Sequence, residues 1–213
     1  MGNPLDALAP VASEQAGLFT TAQAARLDVD TAALFRLARA GVLERPLRGV
    51  YRVRAAPPPA DVDVLAAWLL LSGRRLPSEP LPAGQPPAVV SHTAAARLLN
   101  LGTFPPTRPT LIVRHARRDP PSGTYRTFRL ELEPGDWCWQ ALPDHIRVAV
   151  TTPERTLVDL AWAEADPEHV REALSRHAAT LDRDALRTTF ARRRRRGGHT
   201  TPTWMGPDFG LGK

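Results

Sequence analysis

Residues 17–53 constrain the fold more than any other part of this 213-residue sequence. Their first half predicts two short helices separated by a tight turn at Asp28–Asp30. Thr20 or Thr21 can accept hydrogen bonds from the free N–H groups that begin the first helix, and Asp30 can do the same for the second. The predicted helices cover residues 20–27 and 31–40. This pattern is typical of a helix-turn-helix.

The second of these helices is followed by a predicted pair of strands. Gly41 occupies the position after a helix where left-handed backbone is common. Residues 42–53 then predict two short strands around a turn at 46–49, which together would form a basic wing. The face of the second helix that is expected to pack inward carries Leu34, Leu37 and Ala38. The segment therefore predicts a winged helix-turn-helix domain over residues 1–54.

A domain of this kind can insert its second helix into the major groove of double-stranded DNA. Thr31 and Ala32 are small enough for close approach, and Arg36 can reach a guanine edge or a phosphate. Arginines of the wing would contact the phosphate backbone and add affinity. The predicted DNA-binding residues are Thr21, Gln23, Thr31, Ala32, Arg36, Arg39, Arg45, Arg48 and Arg52. Phe35 is expected to be a partly buried packing residue.

Proline-rich stretches divide the chain that follows. Residues 55–61, AAPPPAD, predict a linker because consecutive prolines exclude helix and central strand. Asp61 is expected to cap an apolar helix that stops at Gly73. After a second proline-rich loop, the sequence predicts a strand at 88–90 and a helix at 91–99 that Gly102 ends.

The last part of the chain alternates predicted strands and helices. Residues 110–115 and 125–132 alternate in polarity like strands and are joined by the turn-rich sequence DPPSG. Residues 146–151 predict another strand, and TTPE from Thr151 opens a helix with a threonine cap and a proline in the first turn. Two further helices are predicted over 167–180 and 182–195.

Together these elements predict an α+β protein. The winged helix-turn-helix over 1–54 would be followed by a larger mixed α+β domain over 61–191 that ends in helices, and by a disordered basic tail over 192–213. Residues 183–213 carry eight basic and two acidic residues, so the net charge of this segment, +6, equals that of the whole protein. Net charge therefore does not by itself indicate that the folded part binds nucleic acid. Arg192–Arg196 either enlarge the surface that contacts DNA or form a run of charged side chains exposed to solvent.

Other residue patterns do not predict an enzyme. Ser91 is interpreted as a helix cap with His92 in the first turn, because adjacent residues on a helix do not face each other. Cys138, the single cysteine, is interpreted as a packing residue. Arg155 and Asp159 are four residues apart on one helix face and predict an ion pair. The scattered histidines have no ligand spacing, so neither a metal nor a cofactor is expected.

Three motifs occur in order along the chain. They are GLFTTAQAARLDVDTAALFRLARAGVLERPLRGVYRV from Gly17, VVSHTAAARLLNL from Val89 and VAVTTPERTLVDLAW from Val148. Together they resemble the AbiEi family of antitoxins, from abortive-infection type IV toxin–antitoxin systems. The resemblance implies a transcriptional repressor that binds inverted repeats upstream of its own operon. It also implies a C-terminal domain that counters a nucleotidyltransferase-like toxin without a stable complex, with Arg155 and Asp159 as a candidate surface.

Other functions remain open from the sequence. One is an orphan winged-helix regulator without a toxin, and another is a nucleic-acid adaptor that uses the arginine-rich tail. A protein-interaction module whose arginines serve only solubility is a further alternative. A degenerate restriction-endonuclease-like nuclease is the least supported, because that chemistry needs clustered acids with a nearby lysine and the single lysine is Lys213.

The expected location is the cytoplasm. No run of apolar residues is long enough to span a bilayer, so no membrane partner is predicted. The N-terminal sequence MGNPLDALAP lacks the charged start and apolar stretch of a signal peptide. A single cysteine leaves no internal disulfide framework.

Overall fold

The computed structural model describes residues 3–115, 123–143, 146–163 and 166–196. Its helices are α1 (Pro4–Ser13), α2 (Thr21–Arg26), α3 (Thr31–Arg39), α4 (Val62–Leu71), α5 (His92–Leu98), α6 (Pro153–Trp162), α7 (Pro167–Arg176) and α8 (Arg183–Arg196). Its strands are β1 (Leu18–Thr20), β2 (Leu43–Leu47), β3 (Val50–Val53), β4 (Ala88–Ser91), β5 (Thr110–Val113), β6 (Arg126–Arg129), β7 (Trp137–Ala141) and β8 (Arg147–Thr151). The α+β class is confirmed.

The N-terminal unit follows the order α1-β1-α2-α3-β2-β3. Its three strands form an antiparallel sheet in the order β1-β3-β2, with Phe19 opposite Tyr51. The three helices pack on this sheet around a core that includes Leu8, Phe19, Leu34, Leu43 and Tyr51. Local sequence patterns predict α2, α3 and the hairpin of β2 and β3, but α1 and β1 were not predicted. Strand β1 has only three residues, too few for a periodic pattern to identify it.

The second unit contains a mixed five-stranded sheet in the order β6-β5-β4-β8-β7. Strands β4 and β8 are parallel, as are β5 and β6, whereas β4 pairs with β5 and β7 pairs with β8 in antiparallel fashion. The predicted alternation is wrong for β5, because all four of its residues are buried and its two faces pack in different core clusters. The sequence DPPSG, from residue 119, lies mostly outside the described residues.

Helix α4 joins the two units. It is apolar almost all round because it is enclosed on most sides, and its core cluster takes Leu18 and Val50 from the small sheet and Val90 and Val150 from the large one. The indole N–H of Trp68 donates to the carbonyl of Ala88 at 3.1 Å. The proline-rich residues 55–61 therefore connect two units that share a core, and their division into independent domains stays a prediction.

Two expected helix ends differ in the structure. Asp61 lies at the N-cap of α4, but its carboxylate accepts hydrogen bonds from Arg97 and does not cap the helix. Helix α5 ends at Leu98, and Asn100 (φ +53°) supplies the left-handed residue that was expected of Gly102.

The predicted start of the disordered tail at residue 192 is wrong. Helix α8 continues through Arg192–Arg196, so the arginine run is helical. Arg192 is held there because it donates a hydrogen bond to Asp136 at 2.7 Å. Residues 197–213 lie outside the described part of the chain. Among the described helices, none combines the length and apolar character needed to cross a membrane.

Candidate nucleic-acid interface

The start of α2 is held by a reciprocal pair of hydrogen bonds. The Thr20 hydroxyl accepts from the backbone N–H of Gln23 at 3.0 Å, and the Gln23 side-chain oxygen accepts from the N–H of Thr20 at 2.9 Å. The Gln23 amide also donates to the carbonyl of Arg75 at 2.7 Å and to Gln15. Gln23 is only 2% exposed. The prediction that Gln23 contacts DNA is therefore wrong, because the side chain is buried and fully hydrogen-bonded.

Thr21 connects α2 to the hairpin. Its hydroxyl and its backbone N–H both donate to the carbonyl of Gly49, at 3.3 and 2.9 Å. Gly49 lies in the turn between β2 and β3 with φ +91°, where a side chain would be strained. The half-buried Thr21 side chain therefore fixes the hairpin turn relative to α2. Its role as a DNA contact stays a prediction.

Helix α3 is fixed at both ends by the residues the sequence indicated. The Asp30 carboxylate accepts from the N–H of Ala33 at 2.6 Å, which confirms the predicted cap. Asp28 takes the left-handed conformation (φ +58°) in the preceding turn, and Gly41 does so after the helix (φ +74°). The N–H of Val42 donates to the carbonyl of Leu37 at 3.0 Å and closes the C-terminal motif.

One face of α3 is buried and the other is exposed. Leu34 is fully buried, and Leu37 and Ala38 pack against the same core, as predicted. The exposed residues of α3 are Thr31, Ala32, Phe35, Arg36 and Arg39. No residue of α3 itself is acidic, and Arg36 and Arg39 have no acidic partner among the described residues. The exposed face therefore carries uncompensated positive charge.

Phe35 differs from the expectation for a packing residue. Its side chain is 58% exposed, the largest exposure of any large apolar residue described. The Arg39 guanidinium lies 5.9 Å from the centre of the Phe35 ring, close enough for a cation–π contact. The interpretation of Phe35 as partly buried is wrong because α3 directs only Ala33, Leu34 and their neighbours one turn later toward the core.

Of the three arginines in the hairpin that were predicted to bind DNA, two are exposed and one is buried. Arg45 and Arg48 are exposed, and the Arg45 guanidinium lies 5.7 Å from the centre of the Tyr51 ring. Arg52 is 5% exposed, and its guanidinium donates to the Glu44 carboxylate and to the carbonyl of Ala56. The Arg52 hydrogen bond lowers the pKa of Glu44 below its ordinary value. The prediction that Arg52 contacts phosphate is wrong, because its charge is paired inside the protein.

Arg155 and Asp159 form a buried ion pair. The Arg155 guanidinium donates to both Asp159 oxygens, at 2.8 and 3.0 Å, and to Asp136 at 3.3 Å. Burial alone would lower the pKa of Arg155, but the charges and hydrogen bonds of Asp159 and Asp136 outweigh it and raise the pKa. The predicted pair is confirmed. The alternative of an exposed toxin-antagonising surface is wrong for these residues, because Arg155 and Asp159 are 6% and 2% exposed.

Asp136 was not predicted from the sequence, and it accepts hydrogen bonds from both Arg155 and Arg192. Asp136 lies in the turn before β7, 19 and 56 residues from its two partners. No local pattern signals a contact over such separations. Together the two aspartates and two arginines tie α6, α8 and the start of β7 to one another.

Ser91 and His92 also differ from the expectation. Ser91 lies at the N-cap of α5, but its hydroxyl donates to the carbonyl of Thr110 and does not cap the helix. Its oxygen lies 2.9 Å from Nδ1 of His92, so these adjacent residues do contact each other.

Cys138 is half-buried in β7 beside the main core, and burial raises the pKa of its thiol. In the described ranges, no group of three or more His, Cys, Asp or Glu side chains could hold a metal.

Comparison with known proteins supports a regulatory assignment for the N-terminal unit. Residues 6–54 match the family model described as "Transcriptional regulator, AbiEi antitoxin". The matched residues run from α1 to the end of β3, and they do not include the motifs that begin at Val89 and Val148. No curated protein matches the chain.

A solved structure supports the fold of most of the chain. The crystal structure of the RV2827C protein from Mycobacterium tuberculosis is similar over 90% of this chain and 72% of that one, with a TM-score of 0.55 and 14% sequence identity. At this identity the similarity shows a shared fold alone.

Proposed function

We propose that the protein is a DNA-binding transcriptional repressor and the antitoxin of a type IV toxin–antitoxin system. The observation that carries this proposal is the exposed face of α3. It combines the small residues Thr31 and Ala32 near the start with the unpaired cations Arg36 and Arg39 further along. A helix with small residues at its N-terminal end and arginines behind them can enter the major groove closely and bind its edges.

The order α1-β1-α2-α3-β2-β3 supports the interpretation as a winged helix-turn-helix. In this proposal α3 is the recognition helix, and the hairpin of β2 and β3 is the wing. Nine residues of α3 extend over roughly 14 Å, about the width of the major groove. Because Thr21 is hydrogen-bonded to Gly49, the hairpin turn is held beside the start of α2. Arg45 and Arg48 then bind phosphates next to the groove.

Phe35 adds an apolar contact to this surface. An exposed aromatic ring on a recognition helix can pack against the C5-methyl group of thymine. The neighbouring Arg39 would hold the ring while binding a phosphate or a guanine. Phe35 therefore joins Thr31, Ala32, Arg36 and Arg39 in the proposed base-reading face.

The antitoxin part of the proposal rests on the family match of residues 6–54. The proposed repressor binds inverted repeats upstream of its own operon in the cytoplasm and counters a nucleotidyltransferase-like toxin without a stable complex. Because Arg155 and Asp159 are buried, their side chains are not part of a surface that acts on the toxin. Co-expression with a neighbouring nucleotidyltransferase gene tests this part: restored growth supports it, and unrelieved toxicity contradicts it.

The DNA-binding part is tested by a mobility shift with the native upstream region. Arg36→Gln is compared with Arg147→Gln, which removes an exposed arginine at the start of β8 in the second unit. We expect Arg36→Gln to weaken binding about tenfold or more, because a bidentate base contact contributes about 1–3 kcal/mol. Arg147→Gln should bind like the wild type. Equal binding by all three proteins would contradict the assignment of α3.

A further inference from the structure

A cleft of about 380 Å³ opens in the second unit where β4 ends, outside the surface proposed to bind DNA. The side chains that line it and carry its chemistry are His92, Thr93, Thr107, Arg108, Arg126 and Phe128. None of its lining residues is acidic. The volume is at the lower end of the range of small-molecule sites.

The backbone at His92 is left-handed. His92 follows the last residue of β4 with φ +56°, a left-handed conformation that costs free energy in a residue other than glycine. Asp28 and Asn100 adopt the same conformation in turns, so the relevant consequence at His92 is the direction that it gives the side chain. Here it directs the imidazole over Phe128, with the ring centres 5.4 Å apart and the planes 23° from parallel.

The hydrogen bonds of Ser91 indicate which ring nitrogen of the neutral His92 imidazole carries the hydrogen. The single hydroxyl hydrogen of Ser91 is donated to the carbonyl of Thr110 at 3.2 Å, because a carbonyl can only accept. The Ser91 oxygen must then accept from Nδ1–H of His92, 2.9 Å away. Nε2 of the neutral ring therefore carries a lone pair, and it has no hydrogen-bond partner among the described residues.

The charges around His92 favour the neutral ring. Burial lowers its pKa most, the Asp159 carboxylate opposes this, and Arg155, Arg193 and Arg126 lower the pKa further. Because the pKa is below its ordinary value, the imidazole is neutral near pH 7. Nε2 can then accept a hydrogen bond from a ligand hydroxyl.

Two arginines without acidic partners lie at the rim of the cleft. Arg108 and Arg126 are exposed at its rim, and neither has an acidic partner in the described ranges. Arg193 of α8 does not line the cleft, but it is close enough to influence the pKa of His92, and its Nε is buried without a hydrogen-bond acceptor among the described residues. Uncompensated guanidinium groups of this kind favour a phosphate, whose oxygens can accept from two donors at once.

We propose that this cleft binds a nucleotide. The phosphate is held by Arg108 and Arg126, the base packs against the Phe128 ring, which is 42% exposed, and a sugar hydroxyl donates to Nε2 of His92. Arginines with an exposed aromatic ring are the combination that binds a phosphorylated ring compound. The same chemistry is offered by a free mononucleotide and by the terminal nucleotide of a strand. This site does not depend on DNA binding by α3.

Calorimetric titration of the full chain with the four ribonucleoside 5′-monophosphates tests the proposal. Arg126→Gln is matched with Arg129→Gln, which removes an exposed arginine of the same strand on the opposite face of the sheet. We expect at least one monophosphate to bind, with affinity about tenfold lower in Arg126→Gln and unchanged in Arg129→Gln. Phe128→Leu should weaken nucleotide binding but not the binding of inorganic phosphate.

Titrations with smaller and larger ligands distinguish the contributions of the phosphate, sugar and base contacts to the affinity. Inorganic phosphate and the matching nucleoside should each bind about tenfold or more weakly than the nucleotide, because each makes only part of the contacts. A 5′-phosphorylated RNA oligomer that binds more tightly, with the same loss in Arg126→Gln, would identify a strand end as the source. The proposal is overturned if no nucleotide binds at millimolar concentration, if phosphate binds as tightly as the nucleotide, or if Arg129→Gln is as damaging as Arg126→Gln.

Discussion

Arg155 donates hydrogen bonds to both carboxylate oxygens of Asp159, one turn later on the same helix, at 2.8 and 3.0 Å. Both side chains are almost completely buried. The third guanidinium nitrogen of Arg155 donates to Asp136, which also accepts from Arg192. Two arginines and two aspartates thus neutralise each other, and they fix α8 to α6 and to the turn before β7.

Removal of Arg155 should strongly destabilise the fold. Arg155→Ala leaves Asp159 buried without its cation, and the expected loss is about 3–5 kcal/mol in the free energy of unfolding, as for other broken buried ion pairs. Urea denaturation measures it. Arg176→Ala is the control, because it breaks the half-exposed pair with Glu172 and should cost less than about 1 kcal/mol. Equal losses in both variants would contradict a structural role for Arg155.

Gln23 should matter for stability and not for DNA contact. Gln23→Ala removes the acceptor of the buried Thr20 N–H and the donor to the partly buried Arg75 carbonyl, and the expected cost is about 2–3 kcal/mol. Thermal unfolding checks the loss. Well below the melting temperature the variant should bind upstream DNA like the wild type. If the variant has normal stability but loses DNA binding, Gln23 contacts DNA and this account of its role is wrong.

Phe35 should show the opposite behaviour. Phe35→Ala removes a side chain that is 58% exposed, so the free energy of unfolding should change by less than about 0.5 kcal/mol. Its affinity for upstream DNA should fall about tenfold if the ring packs against a base. Anisotropy titration with labelled DNA measures this. An unchanged affinity would remove Phe35 from the proposed base-reading face.

The contact between Arg26 and Glu79 should make the free energy of unfolding decrease as the pH falls into the acid range. Arg26 donates to both Glu79 oxygens, at 2.7 and 2.8 Å. This hydrogen bonding, with a further one from the Leu76 N–H, lowers the pKa of Glu79 from 4.5 to about 2. A folded-state pKa below the unfolded value stabilises the protein at higher pH, so the contribution is complete above about pH 4.5 and is lost as the pH falls toward 2.

Glu79→Gln tests this pH dependence. Its melting temperature should be lower than that of the wild type at pH 7, and the difference should narrow as the pH falls from 4.5 toward 2. Because the pair is partly exposed, added salt should also narrow the difference at pH 7. A difference that is constant between pH 7 and pH 2 would mean that the carboxylate charge is not involved.

Local signals in the sequence predicted the elements that local chemistry controls. Asp30, Gly41 and the buried Leu34 define α3, and each acts within one or two turns of the helix. The same reasoning failed for Gln23 and Arg52, which are polar residues typical of a DNA surface. Gln23 is bound by the Arg75 carbonyl, 52 residues later in the chain, and Arg52 is bound by Glu44, which lies opposite it in the hairpin, and by the Ala56 carbonyl.

The second unit was harder to predict for the same reason. Strand β7 went unrecognised because its half-buried residues, Trp137 to Gln140, show no alternation that distinguishes a strand. The cleft at His92 depends on a left-handed backbone and on Phe128 from a strand 36 positions later. No spacing rule brings such residues together, since strand order in the sheet determines their contact.

The most direct test of DNA binding by α3 and the hairpin is the salt dependence of affinity for the upstream DNA. If the four exposed arginines, Arg36, Arg39, Arg45 and Arg48, together neutralise about four phosphates, the slope of log K against log salt is roughly −3 to −4 in the wild type. Arg48→Gln should reduce the magnitude of the slope by about one, and Arg147→Gln should leave it unchanged. Absence of binding, or a slope that neither variant changes, would contradict the account.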